Sequence, residues 1–496
     1  MSTLPLSTSR PAVASATPFK GNDRLLFGMI MGVIAFWLFA QTTLNIAPAM
    51  QKDLGLDANL MNIAVAVTAL FSGMFIVVMG GLADRIGRVR IMSLGFVLSI
   101  VGALLIALAP TGPLAIPALM LGRAIQGISA ACIMPASLAL VKTYWDGADR
   151  QRAVSMWSIG SWGGSGLCAL FGGMMNEAFG WRSIFLACVA VSLLGMWMIR
   201  GTPESKVETT KSHKLDLAGI ASFMVTMVAL QVFVTQGNKM GWTSPLILGL
   251  IAVTLVAGGL FFWFESRADN AFVDFSLFDN KVFTGATISN FMLNGVAGML
   301  IVSLQLVQFG GNLSAQQAGM LTLGYAIAII AFIRVGEKLL QRFGSRKPMI
   351  WGCLITGLSI VMLMPTHLML ADYKVLAIIS YTLFGVGLAF YATPSTDAAL
   401  SSLPAAQAGS GAGIYKMASS LGGAFGVAIS AAIFTALRVN NESIQWLEGV
   451  ITFVGRQDNL AVREAAIIAL GFNVLMVLFA IVSILMTIPK GRKAAA

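Results

Sequence analysis

Charge is scarce in this chain. Only 11% of its 496 residues are Asp, Glu, Lys or Arg, whereas a soluble domain carries about 25%. Apolar residues make up 57% of the sequence, and the mean hydropathy is +0.83. This composition excludes a soluble protein and predicts an all-α membrane protein with little chain left for any soluble domain.

Cysteine and histidine are also rare, and their spacing excludes the sites that they usually form. The two histidines, His213 and His367, stand far apart in predicted loops. The four cysteines occur singly within apolar stretches, without a CxxC motif, at Cys132, Cys168, Cys188 and Cys353. We therefore expect no disulfide framework, no metal site and no cofactor. An enzyme would need a nucleophile, base or metal cluster in one cavity, and none is evident.

A phosphate-binding loop is missing as well. The glycine-rich segment GSGAGIYKM at 409–417 lacks the G-x-x-x-x-G-K-[ST] spacing that cradles a nucleotide phosphate. No strand followed by a helix surrounds it in a soluble context. The sequence therefore excludes an ATP-driven pump.

Long apolar runs are abundant. Fourteen runs are each long enough to cross about 30 Å of hydrocarbon as a helix, at 25–49, 60–82, 91–110, 114–141, 153–176, 183–200, 216–236, 244–264, 283–308, 316–336, 349–366, 374–395, 409–437 and 464–488. The chain then divides into a flexible cytoplasmic tail, a six-helix half, a cytoplasmic linker, an inserted helix pair, a second linker, a second six-helix half and a short cytoplasmic tail, at 1–23, 24–200, 201–215, 216–265, 266–282, 283–488 and 489–496. An outside loop at 438–464 contains Trp446, which is either a lid over an outward opening or an aromatic anchor at the interface.

The net charge of +11 is explained by membrane topology. With the N-terminus inside, 23 of the 32 Lys and Arg residues lie at cytoplasmic ends and loops, and seven lie outside. The positive-inside rule favours this orientation, with both termini in the cytoplasm. We therefore expect the basic residues to face a lipid bilayer and not nucleic acid.

An internal repeat divides the spans into two related halves. The loop GGLADRIGRVRIMSLG at 80–95 has a weaker echo in KLLQRFGSRKPMIWG at 338–352. The glycine-rich fifth span, at 160–173, is likewise echoed in the thirteenth, at 419–430. Paired halves around a central site are transporter architecture.

Two motifs resemble the major facilitator superfamily. Gly80-Gly81-Leu82-Ala83-Asp84-Arg85-Ile86-Gly87-Arg88 fits the family signature G-x-L-a-D-R-x-G-R, and LGRAIQG at 121–127 resembles the second family motif. The segments IGSWGGSGLCALFGG, TGATISNF, YATPSTD and IYKMASSLGGAFGVAIS are similar to the Nor-type quinolone and multidrug efflux pumps, in the fourteen-span drug:proton antiporter branch. The resemblance covers about 24–488 except the 438–464 loop.

The resemblance implies both a fold and a function. The fold is the major facilitator fold, with 14 transmembrane helices as two six-helix halves plus an inserted pair. The function is proton-coupled export of small amphipathic drugs, such as quinolones and toxic dyes, by alternating access. The location is the cytoplasmic (inner) membrane of a bacterium, and we expect a monomer.

Two departures from the branch pattern keep a second function open. Ala40 stands where span one usually has an aspartate, and Cys168-Ala169 stand where span five usually has Gly-Pro. The alternative is proton-coupled or facilitated transport of an organic anion or other small metabolite, for which Arg123 and Lys416 would be counter-charges.

The first cytoplasmic loop has a carboxylate and glycines beyond what membrane topology needs, which predicts a gate built from Gly80, Asp84, Arg85, Gly87 and Arg88. Asp84 can pair with a basic residue or cap a neighbouring helix, and the arginines can reach helix C-terminal carbonyls. Such a clasp would hold the cytoplasmic side closed and release when the halves rock.

Proton coupling needs titratable groups inside the bundle. Arg123 lies within span four, where facing lipid would be costly, so it should face the cavity or a partner. Lys416 in span thirteen either does the same or snorkels towards the cytoplasm. Among the acids, Asp397 is the least loop-like, because Pro394 is expected to break span twelve and fold the acid inward. We predict that Arg123, Asp397 and Lys416 take part in proton coupling.

A promiscuous drug site needs aromatic and adaptable apolar surface with a few polar groups. Intramembrane amides should face the protein interior. The predicted substrate-binding residues, from spans one, five, nine and ten, are Phe36, Trp37, Gln41, Asn45, Trp157, Ser161, Trp162, Asn290, Asn294, Gln305 and Tyr325.

Overall fold

A computed structural model describes residues 19–207, 216–268, 273, 275–439, 449–455 and 458–490 of the chain. These residues contain helices and connecting turns and no β-strand. The α-helices in chain order are α1 Asp23–Ile34, α2 Thr43–Leu54, α3 Ala58–Ile86, α4 Arg88–Ala107, α5 Ala115–Tyr144, α6 Gly147–Ser158, α7 Gly164–Phe179, α8 Trp181–Ile199, α9 Leu217–Met240, α10 Pro245–Glu265, α11 Lys281–Gly295, α12 Gly298–Phe309, α13 Ala315–Met320, α14 Leu323–Phe343, α15 Arg346–Leu363, α16 Leu370–Ser402, α17 Ala408–Val439 and α18 Leu460–Thr487.

Thirteen helical stretches within these ranges are long and apolar enough to cross a membrane. Each of them overlaps one of the predicted spans. The remaining predicted span, 153–176, falls on α6 and α7, of 12 and 16 residues, which are joined by the π-helical segment Ile159–Gly163. No unbroken α-helix of spanning length is therefore present at that position.

Large apolar side chains cover the outer surface of the bundle. On α10, for example, Leu255, Val256 and Phe262 are 71%, 65% and 60% exposed. In water such a surface would cost free energy in proportion to its area, whereas in a bilayer it contacts hydrocarbon. The exposed apolar faces therefore agree with a multi-pass membrane protein.

The first predicted span is interrupted like the fifth, and the two interruptions touch. A π-helical segment, Ala35–Ala40, joins α1 to the turn before α2 and contacts Ile159–Gly163. In that turn, Thr42 Oγ1 lies 2.5 Å from Leu38 O and 2.9 Å from Cys168 O, so its single O–H is shared between these two carbonyls. A broken helix inside a membrane needs such substitutes, because lipid cannot satisfy the freed backbone groups.

Helices α1–α8 and helices α11–α18 each make many contacts among themselves, and we refer to these two sets as the two halves; α9 packs on α10 and also contacts α3 and α17. We call the end of the bundle that carries 84–90, 142–150 and 402–409 the basic end, and the other, carrying 54–58 and 310–315, the opposite end.

Part of the predicted N-terminal tail is packed on the bundle. The Gly21 amide donates to Tyr144 O (2.9 Å), and the rings of Phe19 and Tyr144 meet edge to face at 5.0 Å. Asn22 caps α1 through the Leu25 amide. Residues 1–18 and Trp446 lie outside the described residues, so both alternatives for Trp446 stay open.

Candidate functional site

The two halves meet most closely at the basic end, where α17 packs on α3 and α5 while α16 packs on α6. At the tightest point, a Cβ atom added to Gly80 would lie 2.4 Å from Gly409 O, and one added to Gly409 would lie 2.4 Å from Gly80 O. Any side chain at either position would push the halves apart. Gly80, predicted as part of a gate, therefore sets how closely they approach.

Asp84 joins the halves one turn further along α3. Its carboxylate accepts hydrogen bonds from the amides of Gly409 (2.8 Å) and Ser410 (2.9 Å), in the first turn of α17. Those amides have no partner within their own helix, and the helix N-terminus favours an anion. Arg88 Nε and Nη2 donate to the same carboxylate at 3.0 and 2.8 Å. Asp84 is thus a buried carboxylate shared by two halves of the protein.

Arg88 extends this contact to three further segments. It donates to Thr143 Oγ1 at the end of α5 (2.5 Å), to Ser205 Oγ in the linker (3.0 Å) and to Ala405 O in the second half (2.6 Å). Its backbone direction depends on Gly87, whose φ of +137° is rare for other residues. We call the contact of Asp84 and Arg88 with the first turn of α17 the clasp. Arg85, also predicted for the gate, is half-buried next to Asp84 in the chain.

The linker after α8 packs against the clasp and holds it in place like a strap. The sequence does not predict this contact. Glu204 accepts from the amides of Val89 (2.9 Å) and Arg90 (3.0 Å), in the first turn of α4. The Val207 amide donates to Asp84 O, and the Arg88 amide to Ser205 O, both at 2.9 Å. Glu204 therefore caps α4 from more than 100 residues away, and no local sequence signal marks such a cap.

Glu204→Gln should weaken this strap. An amide accepts through one oxygen only and carries no charge to complement the α4 N-terminus, so we expect a loss of about 1 kcal/mol. The transport expected from the sequence should fall by about two- to fivefold, with a lower thermal unfolding midpoint. The matched control is Glu177→Gln, at an exposed acid near the end of α7; equal effects of the two substitutions would exclude the capping role.

A second polar contact joins the halves beside the clasp. Arg150 Nε on α6 donates to Asp397 Oδ1 on α16 at 2.9 Å, with side-chain exposures of 14% and 5%. Lys142 Nζ on α5 reaches Ser401 O (3.1 Å). The sequence indicates Arg150 only as a charge that sets topology, because nothing local links it to an acid 247 residues away.

The expected helix break at Pro394 is wrong. Helix α16 continues from Leu370 to Ser402 with Pro394 inside it. Membrane helices tolerate proline where the surroundings compensate for the lost backbone hydrogen bond. Asp397 is buried because its helix face packs against α6, and not because the chain folds inward.

Arg123 is fully buried and holds the interrupted first span in place. Its guanidinium donates to five acceptors on three segments: Ala40 O (2.7 Å), Thr43 Oγ1 (2.9 Å), Ala64 O (3.1 Å), Val65 O (3.3 Å) and Gln126 Oε1 (3.0 Å). Of the two surroundings expected for Arg123, the cavity or a partner, the side chain has partners, and these are mainly backbone carbonyls. Ala40, where the resemblance would place an acid, meets Arg123 through its carbonyl oxygen.

Lys416 points into the contact between the halves. It is 7% exposed, and its Nζ lies 5.0 Å from the centroid of the Trp157 ring on α6. This geometry differs from the snorkelling alternative, in which the ammonium would reach the membrane surface. The ring offers the cation a partial partner through its negative face.

The aromatic part of the predicted substrate site lies around the two π-helical segments. Phe36 and Trp37 meet edge to face at 5.2 Å, and Trp37 Nε1 is buried without a hydrogen-bond acceptor. Trp157 is buried, with its Nε1 donating to Ser137 Oγ (2.9 Å). The others in this group range from buried to exposed, namely Ser161, Trp162, Gln41 and Asn45.

The two asparagine side chains of α11 form hydrogen bonds within the second half instead of joining the aromatic group. Asn290 Nδ2 donates to Tyr415 O (3.0 Å) and Ser419 Oγ (2.6 Å), and Asn294 Nδ2 to Asn290 O (2.7 Å). The two Asn290 bonds join α11 to α17 within the second half, whereas the Asn294 bond stays within α11. Gln305 on α12 is half-buried, and the Tyr325 ring on α14 lies 5.4 Å from that of Phe384. The structure thus groups the residues of spans one and five and sets the α11 amides apart.

A cavity of about 250 Å³ lies elsewhere, in the second half near the opposite end. It is lined by α12, the turn at 366–369, α16, 454–455 and the start of α18, and by none of the predicted substrate-binding residues. The Arg463 guanidinium at its wall donates to the carbonyls of Thr366, Leu368 and Val454. Among the described residues, no group of three His, Cys, Asp or Glu side chains is placed to hold a metal ion.

Known proteins resemble this chain over almost its whole length. The model of the Major Facilitator Superfamily matches residues 25–427 and 283–493. The chain is 45% identical over 476 residues to the quinolone resistance protein NorB of Staphylococcus aureus strain MRSA252, covering 96% of this chain and 98% of that one. The protein of the same name from strain COL is 45% identical over 478 residues, with the same coverage.

Solved structures agree on the fold. The proton:xylose symporter XylE superposes with a TM-score of 0.61 at 16% identity, covering 94% of this chain and 96% of XylE. The human organic anion transporter MFSD10 superposes with a TM-score of 0.57 at 14% identity, covering 92% of this chain and 98% of that one. The family match and the full-length similarity to these relatives establish that the chain belongs to the major facilitator superfamily, a family of transporters and not of enzymes.

Proposed function

We propose that this protein exports amphipathic drugs, among them quinolones and toxic dyes, in exchange for protons. The observation that carries this proposal is the 45% identity to a quinolone resistance protein over 96% of the chain. The polar closure of the basic end supports it, because a transporter that alternates access must seal one side while the other is open. The protein is a monomer in the bacterial cytoplasmic membrane, with both termini and the basic end in the cytoplasm.

We also propose that the chain crosses the membrane fourteen times. The interrupted helix over α6 and α7 is the fifth span, and α9 with α10 is the inserted pair. The assignment of the fifth span is supported because α6 to α7 is helical throughout, and that of the inserted pair because α9 contacts both halves. The substrate lies among the residues predicted for spans one and five and approaches from Gln41 and Asn45, which keep some exposure to solvent.

The clasp and the Asp397–Arg150 pair would keep the cytoplasmic side closed. In the exchange cycle, the transporter binds a proton while it faces outwards and must open inwards to release that proton in the cytoplasm. Protonating a carboxylate that ties the halves together removes its charge and frees the halves. We assign this role to Asp397, while Arg123 positions the interrupted first span beside the substrate.

Asp397→Asn should uncouple transport from the pH gradient. The amide keeps the size of the side chain but binds no proton, and it replaces a buried ion pair with a weaker hydrogen bond. Gradient-driven drug export should fall at least tenfold, whereas drug exchange without a gradient should persist. Asp372→Asn, at an exposed acid in the first turn of α16, is the control. Full gradient-driven export by Asp397→Asn would contradict the assignment.

Uptake of an organic anion is the second candidate, because Lys416 is a buried cation between the halves. The direction of transport separates the two. In everted membrane vesicles with an inside-acid gradient, an exporter should accumulate a fluoroquinolone above the level in vesicles without the protein. Accumulation of an organic anion in right-side-out vesicles, with no drug accumulation in everted ones, would favour uptake.

A further inference from the structure

Lys416 carries a buried charge at a place where the two halves meet. It stands on α17 of the second half, and the indole below its ammonium belongs to Trp157 on α6 of the first half. Trp157 is 1% exposed, and its hydrogen bond to Ser137 fixes the plane of the ring. The ammonium therefore rests on a rigid aromatic surface that the other half of the protein supplies.

The charge of Lys416 is not balanced by a described acid. The ion pairs formed among the described residues involve Arg88, Arg90, Arg150, Arg152, Arg182 and Arg334, and none of them includes Lys416. An ammonium has three N–H donors, and a ring face satisfies it only in part. A buried cation without an anion is costly, so its position between the halves favours a role in binding an anionic group.

A second unsatisfied donor lies beside the fifth predicted span. The Trp37 side chain packs beside Gly164, 3.1 Å from where a Cβ atom of that glycine would lie. Gly164 follows Trp157 by seven residues, across the π-helical segment Ile159–Gly163. Trp37 Nε1 is buried and lacks an acceptor. The protein thus offers an ammonium, an aromatic surface and, in the first span, a buried indole N–H.

We infer that Lys416 binds the carboxylate of the transported molecule, and that the preferred substrates are aromatic amphipathic carboxylic acids in anionic or zwitterionic form. The inference rests on the proposed drug export and names its substrate class. Lys416 also follows Gly409, which Asp84 holds, by seven residues on the same helix. Any movement of α17 that opens the clasp therefore moves Lys416 relative to Trp157.

The test compares an acid with its ester. Export is measured in everted vesicles for a fluoroquinolone, for its methyl ester and for a lipophilic cation dye. Lys416→Met should reduce export of the acid at least tenfold and change that of the ester and the dye less than twofold, while Lys416→Arg should retain most of the acid export. Lys338→Met, at an exposed lysine on α14, controls for loss of one positive charge and should match the unsubstituted protein.

A second measurement needs no variant. Calorimetric titration of the purified unsubstituted protein should give at least tenfold weaker binding of the ester than of the acid. Equal binding of acid and ester, or equal loss of export for all three compounds in a folded Lys416→Met protein, would overturn the role of Lys416 and leave drug export standing. An unsubstituted protein that exports none of the three would instead refute the proposed function itself.

Discussion

Asp84→Asn should lower drug export at least tenfold and open the basic end. The carboxylate accepts four hydrogen bonds, two from the amides of Gly409 and Ser410 and two from Arg88. Charged hydrogen bonds contribute about 1.5–3 kcal/mol each, and an asparagine oxygen can replace only part of them. Losing a few kcal/mol from one state shifts a two-state equilibrium by more than a hundredfold.

Thiol labelling measures the opening directly. Ser410→Cys places a thiol at the clasp, where the native side chain is 8% exposed, in a chain whose four native cysteines have been replaced by alanine. A membrane-impermeant maleimide applied to everted vesicles should label it slowly, and at least tenfold faster when Asp84→Asn is added. Unchanged labelling together with unchanged export would show that the clasp does not hold the closed state. Asp372→Asn again serves as the matched control.

Arg123→Met should abolish export and destabilise the protein. The substitution removes five hydrogen bonds and leaves carbonyls of the interrupted first span and of α3 without partners in a region that excludes water. Each unsatisfied group costs about 1–3 kcal/mol. The thermal unfolding midpoint in detergent should fall by several degrees. Arg123→Lys should recover less than half of the activity, because one ammonium cannot reach acceptors spread over three segments.

The control for Arg123 is Arg342→Met, at an exposed arginine near the end of α14. It removes the same charge without buried hydrogen bonds, so export and midpoint should stay near those of the unsubstituted protein. An Arg123→Met protein with an unchanged midpoint and no export would point to a direct role of Arg123 in transport chemistry. It would contradict the positioning role that its carbonyl partners indicate.

Local patterns in the sequence were enough to predict the helices and half of the clasp. Apolar runs predicted where thirteen membrane-crossing helices lie, because burial in lipid constrains every residue of a span. Asp84 and Arg88 stand four apart, so their pairing was foreseeable from one loop. The partners of Asp84 on α17 are 325 residues away and offer backbone amides, which carry no sequence signal.

The contacts that the sequence does not predict join residues that lie far apart in the chain, so no local pattern marks them. Arg150 and Glu204 are ordinary loop charges until the fold brings them to Asp397 and to α4. The interruption between α6 and α7 has no distinct sequence signal, because glycine occurs both in closely packed membrane helices and at helix kinks. Asn290 was expected at a substrate site, but an intramembrane amide serves equally well to join two helices, as it joins α11 to α17 here.

Whether protons drive drug export is tested most directly by measuring proton movement when drug is added. Everted vesicles containing the protein are acidified inside, and a pH-gradient dye reports the gradient. Adding a fluoroquinolone should release protons and dequench the dye, and Asp397→Asn should abolish this response. A gradient that stays unchanged on adding drug, while a metabolite anion dissipates it, would contradict drug:proton exchange.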